Sequence, residues 1–248
     1  MNSKNPFFKT DTFTNTTHEA VVIDHNETMT VSGTINKSFI LLLLLVAGAF
    51  ATWNMAINGE NPIFLTIGGA IAGLIFVLIT TFKPQLSTYL SPAYAVAEGL
   101  FIGGLSAIFE VKYPGIVMQA VGATFATFFV CFALYKYKVV TVTDKFRSVV
   151  IAATAAIAVY YLFSWLLTFV ISYQPVHYGN SMMSIGISVF VIVIAALNLF
   201  LDFDQIEKGA AQRAPKYMEW YGAMGLMITL VWLYVEFLRL LSKLSSRK

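Results

Sequence analysis

Ile63 to Phe82 reads IFLTIGGAIAGLIFVLITTF, twenty consecutive residues with no charged side chain. A stretch of this length and polarity matches the roughly 20 apolar residues that a helix needs to cross the hydrocarbon core of a bilayer. Just before it, Ser38 to Ile57 reads SFILLLLLVAGAFATWNMAI and carries no charge either. Similar stretches recur to Leu241, so the sequence predicts spans at about 38–57, 63–82, 92–109, 116–135, 148–173, 183–203 and 221–241. The fold class expected is an all-α membrane protein of seven transmembrane helices, with the lipid bilayer as its partner. A composition of 58% hydrophobic and 12% charged residues, with a mean hydropathy of +0.73, agrees with the bilayer as solvent.

Prolines punctuate the pattern. Asn61-Pro62, Lys83-Pro84, Ser91-Pro92, Tyr113-Pro114-Gly115 and Gln174-Pro175 are read as connections, where a missing N–H is harmless. Residues 1–37 are polar and aperiodic and are read as a flexible arm ahead of a 38–248 helical domain that ends in a short basic tail. The first apolar stretch lies too far from residue 1, and stays apolar too long, for a cleaved leader. It is expected to remain as an anchor.

Basic residues set the expected orientation. With the N-terminus on the cytoplasmic side, that side holds Lys4, Lys9, Lys37, Lys83, Lys136, Lys138, Lys145, Arg147, Lys208, Arg213 and Lys216. The other side holds Lys112, Arg239, Lys243, Arg247 and Lys248. Eleven against five favours a cytoplasmic N-terminus. The basic tail dissents, because on its own it prefers the cytoplasm.

Several function classes are set aside on chemistry. Cys131 is the only cysteine, and His18, His25 and His177 fall in the arm or a loop, which leaves no thiolate cluster and no histidine at depth for a haem. The net charge of +3 is spread over helix ends, so nucleic acid is not an expected partner. No Lys stands between Tyr221 and Phe237 to hold retinal, and no His or Lys at depth could activate a serine. No enzyme activity and no cofactor are expected.

Charged groups at membrane depth are costly and tend to mark pathways, switches or buried pairs. Glu98 lies about two turns into the third span and is expected to face the bundle interior. Asp202 shares a helix face with Asn198 and Gln205, whereas Asp204, about 200° away, is expected to face the loop. A capped, solvated helix end is the alternative for both aspartates. On the last span Gly225, Thr229, Trp232 and Glu236 align, and Arg239 stands three residues beyond Glu236 as a local partner. If Asp202 and Glu236 meet across two helices they form a latch. Protonated, the pair hydrogen-bonds; ionised, it repels and attracts a hard cation such as calcium, which prefers oxygen ligands.

Three segments carry a family resemblance: Ala97-Glu98-Gly99-Leu100-Phe101-Ile102-Gly103-Gly104, Asp202-Phe203-Asp204-Gln205-Ile206-Glu207, and Leu233-Tyr234-Val235-Glu236-Phe237-Leu238-Arg239-Leu240-Leu241. Together they resemble the Bax inhibitor-1 family, in its bacterial YccA-type branch, over essentially the whole hydrophobic region. The resemblance implies seven helices with the last packed centrally. It further implies a pH-sensitive calcium leak of the bacterial inner membrane, controlled by two carboxylates that fall on Asp202 and Glu236. Two departures stand out: Glu236 occupies a position where leak members carry Asp, and Phe64 to Phe82 offers no arginine to lock a closed state. The resemblance also permits a second role, a regulator that binds another membrane protein, such as a membrane protease, through its helices and arm.

Overall fold

The computed structural model describes residues 28–171 and 175–247. Among them, seven helices are long and apolar enough to cross a membrane. They are α1 (Val31–Ile57), α2 (Ile63–Phe82), α3 (Ser87–Lys112), α4 (Ile116–Lys136), α5 (Asp144–Ile171), α6 (Met182–Ala211) and α7 (Met218–Ser245). Short 3-10 turns at Pro84–Leu86 and Val176–Tyr178 lead into α3 and α6. The all-α, seven-helix expectation holds.

Helix α7 packs against α1, α3, α4 and α6 and is the axis of the bundle. Its Ala223, Leu233 and Leu238 are fully enclosed. Lipid is as apolar as leucine, so hydrophobicity alone does not drive helices together; close backbone approach and interhelical polar contacts do. The small residues supply that approach. Gly99 lies on the Leu45 carbonyl and Gly103 on the Ala49 carbonyl of α1, while Gly69 of α2 lies on the Ala97 carbonyl of α3. Gly69 and Gly73 of α2, and Gly99 and Gly103 of α3, each pair four residues apart, thus line helix seams. Thr52 donates to the Leu100 carbonyl at 3.0 Å, and Ser106 and Tyr234 share a 2.6 Å hydrogen bond between α3 and α7.

Three boundaries differ from the sequence expectation. Helix α1 starts at Val31, inside the segment assigned to the arm, because Thr30 caps it by accepting from the Gly33 N–H. Residues 1–27, including Lys4, Lys9, His18 and His25, lie outside the described set, as does Tyr173. Pro92 is inside α3 rather than in a connection. It sits in the second turn, where the Ser87 and Ser91 hydroxyls donate to the Tyr217 and Trp220 carbonyls and tie that turn to α7. Finally, α6 runs to Ala211, two turns past the expected end, so Asp202 is within the helix and not at its terminus.

Helix α7 is unbroken over 28 residues, about 42 Å at 1.5 Å per residue. The dissenting tail charges are partly consumed locally: Arg239 pairs with Glu236, and Lys243 is 7% exposed, turned inward onto Ser184 and Ser188.

Candidate functional site

Asp202 faces α7. A Cβ at Gly225 would stand 3.9 Å from its Oδ1, and Thr229, one turn further along α7, lies near its carboxylate with its own hydroxyl donating to the Gly225 carbonyl at 3.4 Å. Glycine at 225 leaves a gap, which opens into a cavity of about 140 Å³ between α2, α6 and α7. Thr80 and Thr81 line it from α2, Gln205 and Ile206 from α6, and Tyr221 and Gly222 from α7. The Asp202 Oδ2 and Thr80 Oγ1 atoms are enclosed and have no hydrogen-bond partner among the described residues. Each such orphan costs about 1–3 kcal/mol, and the cavity is several times the ~10–15 Å³ that one water needs. The lining is mostly apolar, and its oxygens, one carboxylate, hydroxyls and an amide oxygen, are of the kind a hard cation accepts. No group of three or more His, Cys, Asp or Glu side chains converges as a metal cage among the described residues.

The predicted polar stripe around Asp202 splits. Gln205 does line the cavity, but Asn198 turns to α5, donating to the Thr154 hydroxyl there and to the Ile194 carbonyl of its own helix, each at 2.8 Å. Asp204 does not face a loop. It is 7% exposed and paired with Arg147 of α5 at 2.5 Å and with Lys208 at 2.9 Å. The helix continues past 204, so its side chain lands against the start of α5.

Glu236 occupies a separate cluster toward the C-terminal end of α7. Its Oε1 accepts from Tyr161 at 3.2 Å and from Arg239 at 3.0 Å, while Oε2 is enclosed and unpartnered among the described residues. Arg239 lies 5.5 Å from the Tyr161 ring centroid. His177 of the α5–α6 connection stacks near Tyr161 and shares a 3.1 Å hydrogen bond with the Tyr160 hydroxyl. Burial, and then the charges of Arg239 and Lys243, push the His177 imidazole below its ordinary value.

The two carboxylates do not meet. Helices α6 and α7 are antiparallel, with Asp202 beside Thr229 and Ser188 beside Lys243. In that register Glu236 is seven residues beyond the partner of Asp202, about 10 Å along the axis. The latch in which Asp202 and Glu236 share one proton is therefore not built in this conformation. Glu98 is placed apart from both. It points from α3 at α2, where a Cβ on Gly73 would stand 2.7 Å from Oε2, and no described residue gives it a hydrogen bond or a cation. It faces a peripheral helix that packs chiefly on α3, not the central α7.

A fourth carboxylate escaped the sequence reading. Glu219, in the first turn of α7, is fully enclosed. Its Oε1 accepts from the Thr30 N–H and hydroxyl, both at 2.9 Å, and pairs with Lys216 at 2.9 Å; Lys37 bonds Oε2. Only the Lys216–Glu219 spacing was visible in the sequence, because Thr30 and Lys37 are about 180 residues away.

Comparison with curated proteins finds no match. The family model described as Bax inhibitor 1 like matches residues 5–246, nearly the whole chain. With seven apolar helices, the last of them central, the chain belongs to the Bax inhibitor 1 like family.

Proposed function

We propose that this protein is a passive, non-enzymatic cation pathway of a bacterial cytoplasmic membrane, modulated by pH and suited to calcium, with Asp202 as the residue a permeating ion meets. The family's YccA-type branch, to which the motifs bear the resemblance, supplies the expectation. The observation that carries the reading is the Asp202 carboxylate in the wall of a cavity of about 140 Å³, with its Oδ2 unpartnered among the described residues. A proton and a cation compete for that oxygen, so acid closes the site and higher pH frees it. Glu236 acts from its own cluster with Tyr161 and Arg239, not as half of a shared site. The N-terminus is assigned to the cytoplasm from the distribution of Lys and Arg.

Calcium flux into proteoliposomes, measured across pH 5 to 8 for the parent and for Asp202→Asn, tests this. Loss of flux and of its pH response in the variant is expected; flux and pH profile unchanged by the substitution would sink the proposal.

A regulator of another membrane protein is the second reading, favoured by the docking of the segment that leads in from residues 1–27 onto the start of α7. Deleting residues 1–27 separates the two: a pathway keeps its flux, whereas a regulator loses a co-purifying partner.

A further inference from the structure

A second cavity, of about 400 Å³, lies where α1, α3, α4 and α7 meet. Helices α1 and α4 each pack on α3 and α7 but not closely on one another, so the space between them is a groove floored by the buried Ile102, Met227 and Val231. Its rim on α1 is open: Val46 is 54% and Phe50 67% exposed, and within a membrane span what reaches them is hydrocarbon. The hydroxyls of the lining are already spent. Ser106 donates to the Ile102 carbonyl and shares a hydrogen bond with Tyr234, both at 2.6 Å, and Thr124 donates to the Ala120 carbonyl at 2.8 Å. The volume equals about a dozen waters at ~30 Å³ each, yet a buried water needs about 2–4 polar partners. The groove therefore suits an apolar body, unlike the Asp202 cavity with its unpartnered oxygens.

Its dimensions narrow the occupant. The lining on α1 runs from Leu42 to Trp53, about 16 Å at 1.5 Å per residue, close to half of the roughly 30 Å hydrocarbon core. A helix of that length, about 10–12 Å across with its side chains, fills more than about 1,000 Å³ and is too thick for the groove. The slender apolar body that a bilayer supplies in abundance is a hydrocarbon chain. We propose that the groove is a lipid site that holds one acyl chain of a phospholipid from the leaflet in which α1 ends. The chain lies between α1 and α4, its methyl end toward Leu42 and its headgroup beyond Trp53, whose indole suits the membrane–water interface. The site stands whether or not ions pass Asp202. Met227, Val231 and Tyr234 of its wall belong to α7, so the bound chain also supports the central helix that carries Gly225 and Ile228 of the Asp202 cavity.

The test reads whether a lipid chain reaches the floor. The full chain is reconstituted in vesicles doped with a phosphatidylethanolamine that carries a diazirine midway along one acyl chain, irradiated, and its adducts are located by peptide mass. A chain lodged in the groove labels Met227 and Val231, which are 2% and 9% exposed, as well as the outward-facing Leu43, which is 70% exposed. Lipid that only coats the outer surface labels Leu43 and spares the floor. Val121→Trp fills the groove from α4 and is expected to cut floor labelling about tenfold or more with Leu43 unchanged, because a close-packed groove has no room for both. Adducts confined to outward residues overturn the proposal, and the parent protein alone can give that result, so it does not depend on the variant folding. Floor labelling that a folded Val121→Trp leaves unchanged overturns it too. Floor labelling by a diazirine-bearing palmitic acid but not by the phospholipid overturns the phospholipid assignment in favour of a free fatty acid.

Discussion

Replacing Asp202 and Glu236 singly and together tests the geometry that separates them. In contact, two carboxylates sharing a proton are a unit, and removing one strands the other. The expected coupling is then several kcal/mol, as for broken buried pairs. In the observed register the groups are about 10 Å apart along α7. With both ionised, an effective dielectric of about 20 gives a repulsion of roughly 1.7 kcal/mol at that distance. Arg239, 3.0 Å from Glu236, carries the opposite charge and offsets most of it. The coupling free energy of Asp202→Asn with Glu236→Gln is thus expected below about 1 kcal/mol, close to additive behaviour. Unfolding of the four proteins of the cycle in mixed detergent–dodecyl sulfate micelles, followed by tryptophan fluorescence, measures it. A coupling of 3 kcal/mol or more would refute the separation and restore a shared-proton latch.

Other consequences follow from single contacts. Gly103→Ala drives a methyl into the Ala49 carbonyl and Thr52 hydroxyl of α1 and should destabilise the protein by about 1–3 kcal/mol in the same micelle assay, whereas Gly68→Ala, which meets open space, should not. Docking of the His177 loop should depend on pH. Its imidazole is held below 6.5, so the unfolded loop binds protons first. Docking is then complete above about pH 6.5 and weakens as pH falls through and below it; a histidine NMR titration should report the depressed value, and one at or above 6.5 would contradict it. Arg147→Met removes one of two cations from Asp204 and, because the arginine is substantially exposed, should cost no more than about 1 kcal/mol.

Much of the architecture was legible because the bilayer imposes a length and a polarity on each span. Seven apolar stretches and the carboxylates within them were readable from one-dimensional spacing. The Glu236–Arg239 pair was readable too, since residues three apart on a helix share a face. Pro92 misled because its local rule, that proline ends helices, is overridden by hydroxyl bonds from Ser87 and Ser91 to a helix about 130 residues away.

By itself, the sequence determined how many helices there are, which residues they contain and that Asp202, Glu236 and Glu98 are held where charge is costly. Helical periodicity and the hydrocarbon thickness act within each segment. Only the tertiary structure decided which partners each carboxylate meets. The register of α6 against α7 puts Asp202 with Thr229 and leaves Glu236 to Tyr161, and the return of the first residues of α1 to the start of α7 buries Glu219 beneath Thr30 and Lys37. Helix periodicity fixes the face a residue shares along its own axis; it says nothing of how far one helix slides along another, and that offset is set by packing around glycines and by interhelical hydrogen bonds.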